Sequence, residues 1–81
     1  MTLEQLKERI EAQCNQNGIF PTKIILYIEN DLLNCLFFPT SHKDFILIDK
    51  PNTDLLLESV DLECRAIKAR QSSATLSLIH I

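Results

Sequence analysis

Lys23-Ile24-Ile25-Leu26-Tyr27-Ile28-Glu29-Asn30-Asp31-Leu32-Leu33-Asn34-Cys35-Leu36-Phe37-Phe38 is the stretch on which the fold turns. Two apolar runs flank Asn30-Asp31, and both of those residue types tolerate positive φ, so the pair predicts a two-residue hairpin turn. That turn sets a register: Glu29 opposite Leu32, Ile28 opposite Leu33, Leu26 opposite Cys35 and Ile24 opposite Phe37. The last three pairs share one sheet face, and all six residues are apolar, as a core face requires. A slip of one residue would carry Asn34 or Lys23 onto that face. The same register turns Ile25, Tyr27, Leu36 and Phe38 to the other side, where only Lys23, Glu29 and Asn34 interrupt the apolar surface. An antiparallel sheet covered on one side normally shows water a polar second face. This one is apolar, so Ile25, Tyr27, Leu36 and Phe38 form the candidate interaction surface.

On the N-terminal side, residues 2–17 read as a helix rather than a signal peptide, being polar and amphipathic. Thr2 and Gln5 have capping-box spacing, and Leu3, Leu6, Ile10 and Cys14 make one apolar stripe. Gly18 stands where a left-handed helix end wants glycine, and Pro21 prevents continuation.

On the C-terminal side, residues 39–44 read as a polar loop, 45–48 as a short third strand and 49–52 as a turn. The third strand adds either Phe45 and Leu47 or Ile46 and Ile48 to the second face. Residues 54–70 carry two patterns. Val60, Leu62, Cys64 and Ala66 alternate with charged residues as in a half-buried strand, while Leu57, Val60, Cys64 and Ile67 have helical spacing. Charge order favours helix: Asp54, Glu58, Asp61 and Glu63 precede Arg65, Lys68 and Arg70, which complements a helix dipole. Thr53 or Asp54 can cap it, and Asp61 with Arg65 is a favourable i,i+4 pair. Residues 74–81 read as a final strand. Ser77-Leu78-Ile79-His80-Ile81 also resembles translated sequencing-adapter DNA, which would make 74–81 a non-native or loosely packed tail.

A length of 81 residues predicts one small domain, and 46% hydrophobic with 23% charged residues is a globular balance. The net charge of −3 argues against nucleic acid as a partner, since phosphate binding needs a concentrated basic surface. Cys14, Cys35 and Cys64 are odd in number and widely spaced, which points to a reducing, cytoplasmic compartment and to three small buried thiols. No apolar run is long enough for a membrane helix. Gly18 is the only glycine, which excludes the standard phosphate loop, the dinucleotide fingerprint and the nucleophile elbow. No cofactor is expected.

Two functional classes share parts of the predicted order. Double-stranded RNA-binding domains run helix, three strands, helix, and hold phosphates with a basic cluster at the second helix. Here that stretch is Asp54-Leu55-Leu56-Leu57-Glu58, which opposes RNA. Nuclease cores of the restriction-endonuclease type need carboxylates around a metal beside a lysine, placed as acid, any residue, lysine. Asp49 and Lys50 are adjacent instead, and in a strand they point to opposite faces; Glu29 or Asp31 is the available partner acid. Ser41, His42 and Asp44 read as loop polarity, and Cys35 with His42 is a poor nucleophile pair because Cys35 belongs on the core face. His80 reads as a core or edge residue, and the two histidines and three thiols lack metal-site spacing. Phe20, Tyr27, Phe37, Phe38 and Phe45 read mainly as core.

The expectation is therefore an α+β fold, a two-layer sandwich in the order α-β-β-β-α-β, with a mainly antiparallel sheet and helices on one face. The expected function is a non-catalytic protein-interaction module, a homodimer or an inhibitor-like adaptor, acting through the apolar second face. A metal-dependent nuclease-like enzyme and a double-stranded-RNA-binding-like domain are the alternatives.

Overall fold

The computed structural model describes residues 1–40 and 43–79, with side chains described as far as Gln71. Among these residues the fold is α+β, in the order α1 (Leu3–Gln16), β1 (Lys23–Glu29), β2 (Leu32–Phe38), β3 (Ile46–Lys50) and α2 (Thr53–Ile79).

Helix α1 opens with the capping box that its sequence predicts. The Gln5 N–H donates to Thr2 Oγ1 at 3.1 Å, and the Thr2 N–H donates to Gln5 Oε1 at 3.0 Å. Both satisfy donors that the first helical turn would otherwise leave unpaired. Leu6, Ile10 and Cys14 are buried, but Leu3, expected on the same stripe, is exposed because it lies in the first turn, outside the core. The helix ends at Gly18, whose φ is +76°. The Gly18 N–H bonds the Asn15 carbonyl and the Ile19 N–H bonds the Cys14 carbonyl, which closes the helix and turns Ile19 into the core.

The hairpin register is the one the turn predicts, from Glu29 opposite Leu32 to Lys23 opposite Phe38. Asn30 and Asp31 have φ of 54° and 61°, the left-handed conformation at both central positions of a tight hairpin turn. Ile24, Cys35 and Phe37 are buried, and Leu26 and Leu33 pack against them half-buried. Ile28 departs from expectation: it is 66% exposed, because at the hairpin tip its side of the sheet is no longer covered.

Strand β3 pairs antiparallel with β2, giving the order β1-β2-β3. It starts one residue later than expected and runs on through Asp49 and Lys50, which pair with Asn34 and Leu33 instead of forming a turn. Ile48 faces the core opposite Cys35, and Leu47 stands opposite Leu36 on the second face.

Residues 54–70 are helical, in agreement with charge order. Leu56, Val60, Cys64 and Ile67 are buried at helical spacing, with Leu57 half-buried beside them, whereas Leu62 and Ala66 of the competing strand pattern are exposed. Arg65 meets Asp61 at 2.8 Å. The cap is Asn52 rather than Thr53 or Asp54: its Oδ1 accepts the Leu55 N–H at 2.9 Å. The expected final strand is corrected. Residues 74–79 continue α2, and no glycine or proline after Pro51 interrupts the helix. His80 and Ile81 lie outside the described residues.

Both helices contribute to the same buried cluster as one face of the sheet. They are also tied directly: Gln13 Nε2 donates to the Leu57 carbonyl at 2.7 Å, and Asn17 Nδ2 donates to Asp61 Oδ1 at 3.4 Å.

Two stability measurements check this core and its turn. Ile10→Ala should cost about 2–4 kcal/mol in urea unfolding, since it leaves a cavity at the centre of the cluster; a loss below about 0.5 kcal/mol would put the stripe in solvent. Asp31→Gly should stabilise the domain by about 0.5 kcal/mol, while Asp31→Val should destabilise it by about 1–2 kcal/mol, because only glycine adopts that φ freely.

Candidate functional site

Alternation along β1 and β2 places Ile25, Tyr27, Leu36 and Phe38 together on the sheet face turned away from the buried cluster. All four are half-buried. Leu47 extends the surface across β3 and is 53% exposed. Phe45, just before β3, is 57% exposed, and its ring lies 5.7 Å from that of Phe38 in a tilted arrangement.

The polar residues of this face are sorted by position. Lys23 stands at one end of β1, exposed. Glu29 stands at the other end, and Asp49 lies toward that same end on β3, opposite Asn34; both are exposed. The face therefore has a basic end, an apolar middle and an acidic end. Asn34, expected to interrupt it, does so without demanding water. It is 7% exposed, and its Nδ2 donates to the Leu32 carbonyl at 3.1 Å and to the Glu29 carbonyl at 3.5 Å. Its amide is thus spent on the strand ends that flank the turn.

The residues weighed for catalysis do not assemble. Asp49 and Lys50 pair with consecutive residues of β2 and so project to opposite sheet faces. Among the described residues no group of three or more His, Cys, Asp or Glu side chains is placed to hold a metal ion. Cys35 is buried, and burial pushes its thiol up to about 12, so it carries no thiolate at neutral pH. Ser41 and His42, and with His42 the pairing considered for Cys35, lie outside the described residues. Of the aromatics expected as core, Phe37 is buried, while Phe20 and Phe45 are exposed. A hollow of about 380 Å³ lies where Pro39, Thr40, Asp44, Phe45 and Ile46 meet Ile67 and Arg70. No helix among the described residues is long and apolar enough to cross a membrane.

No family model, curated protein or solved structure matches the chain.

The raised Cys35 thiol has a consequence for stability. Its folded value lies above the ordinary 9.0, so the folded state holds the proton more tightly than the unfolded chain does. That contribution is fully present below pH 9.0 and is lost as pH rises toward about 12. Urea midpoints measured at increasing alkaline pH should fall across that window, and less steeply for Cys35→Ala; equal slopes would mean that Cys35 is open to solvent.

Proposed function

We propose that the protein is a non-catalytic interaction module whose partner is a second copy of itself, bound sheet to sheet through Ile25, Tyr27, Leu36, Phe38 and Leu47. The observation that carries this reading is the sheet face itself: apolar in the middle, with Lys23 at one end and Glu29 and Asp49 toward the other.

The two helices bury the other face, so this one has no cover among the described residues. A half-exposed leucine and phenylalanine beside four half-buried apolar residues form a continuous patch, and such patches mark contact surfaces. Tyrosine at its centre fits an interface, having a large apolar ring and a polar end.

The charge arrangement selects the partner. An isologous contact joins the same patch on both copies. With the two-fold axis across the strands, the second sheet runs in the opposite sense. Lys23 of each copy then meets the acidic end of the other. An axis along the strands would set like charges together, so the antiparallel packing is favoured. A different protein would need no such self-complementarity.

The size of the face bears on affinity. Two strands of seven residues and one of five, about 4.8 Å apart with about 3.4 Å per residue, give a face of at most about 14 by 24 Å. Doubled for two copies, that is under about 700 Å², below the range of stable interfaces, so the dimer should be weak and rapidly reversible, with a dissociation constant in the high micromolar range. Three free thiols and the absence of a disulfide among them suit a reducing, cytoplasmic setting.

Sedimentation from low to high micromolar concentration should show a monomer–dimer equilibrium. Tyr27→Asp should abolish it with the circular dichroism spectrum unchanged. Lys23→Glu and Glu29→Lys should each weaken it roughly tenfold, and the double exchange should restore it, which a heterologous partner surface would not require. A monomer at every concentration would overturn the self-association and leave a different protein as the occupant.

A further inference from the structure

The two helices bring Cys14 and Cys64, 50 positions apart in the chain, to a sulfur–sulfur distance of 3.4 Å. Both are fully buried, one on the apolar stripe of α1 and one on that of α2. We infer that Cys14 and Cys64 are a modification site: a dithiol that hydrogen peroxide oxidises to an intramolecular disulfide, joining α1 to α2.

The geometry needs little rearrangement. A disulfide bond is about 2.05 Å long, so the sulfurs must close by about 1.4 Å. Side-chain rotation and an approach of the two helices supply that closure. Cys14 lies near the C-terminal end of α1, where the carbonyls of Cys14 and Asn15 are already committed to the Gly18 turn, so the adjustment falls on a helix end rather than a helix middle.

The chemistry also separates the two thiols. In the neutral pair the Cys64 S–H donates to Cys14. Once Cys64 loses its proton, the Cys14 S–H turns to donate to the thiolate, which holds Cys64 below its ordinary value and pushes Cys14 up. Cys64 is therefore the attacking sulfur. Its thiolate displaces hydroxide from peroxide, breaking the O–O bond, and the hydroxide takes up the released proton as water. The Cys64 sulfenic acid is then attacked by Cys14; the S–S bond forms, the S–O bond breaks, and the oxygen leaves as water with the Cys14 proton. Two thiols lose two electrons in total, and one peroxide becomes two waters. Because both sulfurs are buried, the reaction runs through fluctuations that part α1 from α2, and it is slow compared with exposed thiols. Cys35 lies on β2 in the same cluster and stays reduced.

The test is peroxide treatment of the folded protein, then alkylation of remaining thiols in denaturant and peptide mapping by mass spectrometry. Trypsin places the three thiols on different peptides: residues 10–23 carry Cys14, residues 24–43 carry Cys35 and residues 44–65 carry Cys64. The expected product is 10–23 joined to 44–65, lighter by two hydrogens, with Cys35 alkylated. Closing so long a loop should raise the melting temperature by at least about 10 °C, reversibly with dithiothreitol. Cys35→Ser should form the same link, and Cys14→Ala should not. If Cys14→Ala does not fold, the wild-type peptide map decides alone. All thiols alkylated, a link through Cys35, oxidation only in denaturant, or a lower melting temperature would each overturn the inference. The linked helices lie away from the second sheet face, so sedimentation of the oxidised protein should match that of the reduced one.

Discussion

Asn30 and Asp31 both adopt positive φ, and the rest of the domain depends on that two-residue turn. A strand alternates its side chains with a period of two, so the turn decides which set of residues goes to which face. With this register Ile24, Cys35 and Phe37 enter the core, and Ile25, Tyr27, Leu36 and Phe38 are left on the other side. A slip of one residue would place Lys23 or Asn34 against Leu6, Ile10 and Val60. Asn34 adds a second lock from its own face, because its amide bonds the carbonyls of Glu29 and Leu32 on either side of the turn.

The helices follow from the sheet. Each lays one stripe onto the core face, and each brings a cysteine to the place where the stripes meet. A small side chain there lets α1 and α2 approach closely while the larger Ile10, Leu56 and Phe37 fill the space beside them. The same closeness makes the two sulfurs neighbours. Polar ties at the edge of this contact, from Gln13 to the Leu57 carbonyl and from Asn17 to Asp61, fix how the helices sit along one another.

Much of this was legible in the residues alone, for physical reasons. Turn chemistry and strand pattern agreed on one register, and the α1 cap, stripe and glycine end were each local signals. The charge order of residues 54–70 separated helix from strand because it reflects the helix dipole, which alternation does not. Other features depended on tertiary placement. Ile28 fits the core pattern but lies at the hairpin tip. Asp49 and Lys50 look like a turn before Pro51 but are held in β3 by β2. Residues 74–79 alternate enough to suggest a strand, yet nothing stops the preceding helix from running through them. On the candidate surface, the four apolar residues could be read from the register, and Leu47 could not until the pairing of β3 was known. The contact of Cys14 with Cys64 left only a weak trace: each cysteine sits on its helix's apolar stripe.

We propose that one hairpin register makes two apolar faces, one covered by the helices and one covered by a second copy. Methyl NMR with a soluble paramagnetic probe, at low and at high protein concentration, tests it most directly. Methyls of Ile10, Ile24 and Ile48 should be shielded from the probe at both concentrations. Those of Ile25, Leu36 and Leu47 should be relaxed by it in dilute solution and become shielded as concentration rises. Shielding of the second set at every concentration would mean that the chain covers its own face, and exposure at every concentration would mean that no second copy binds there.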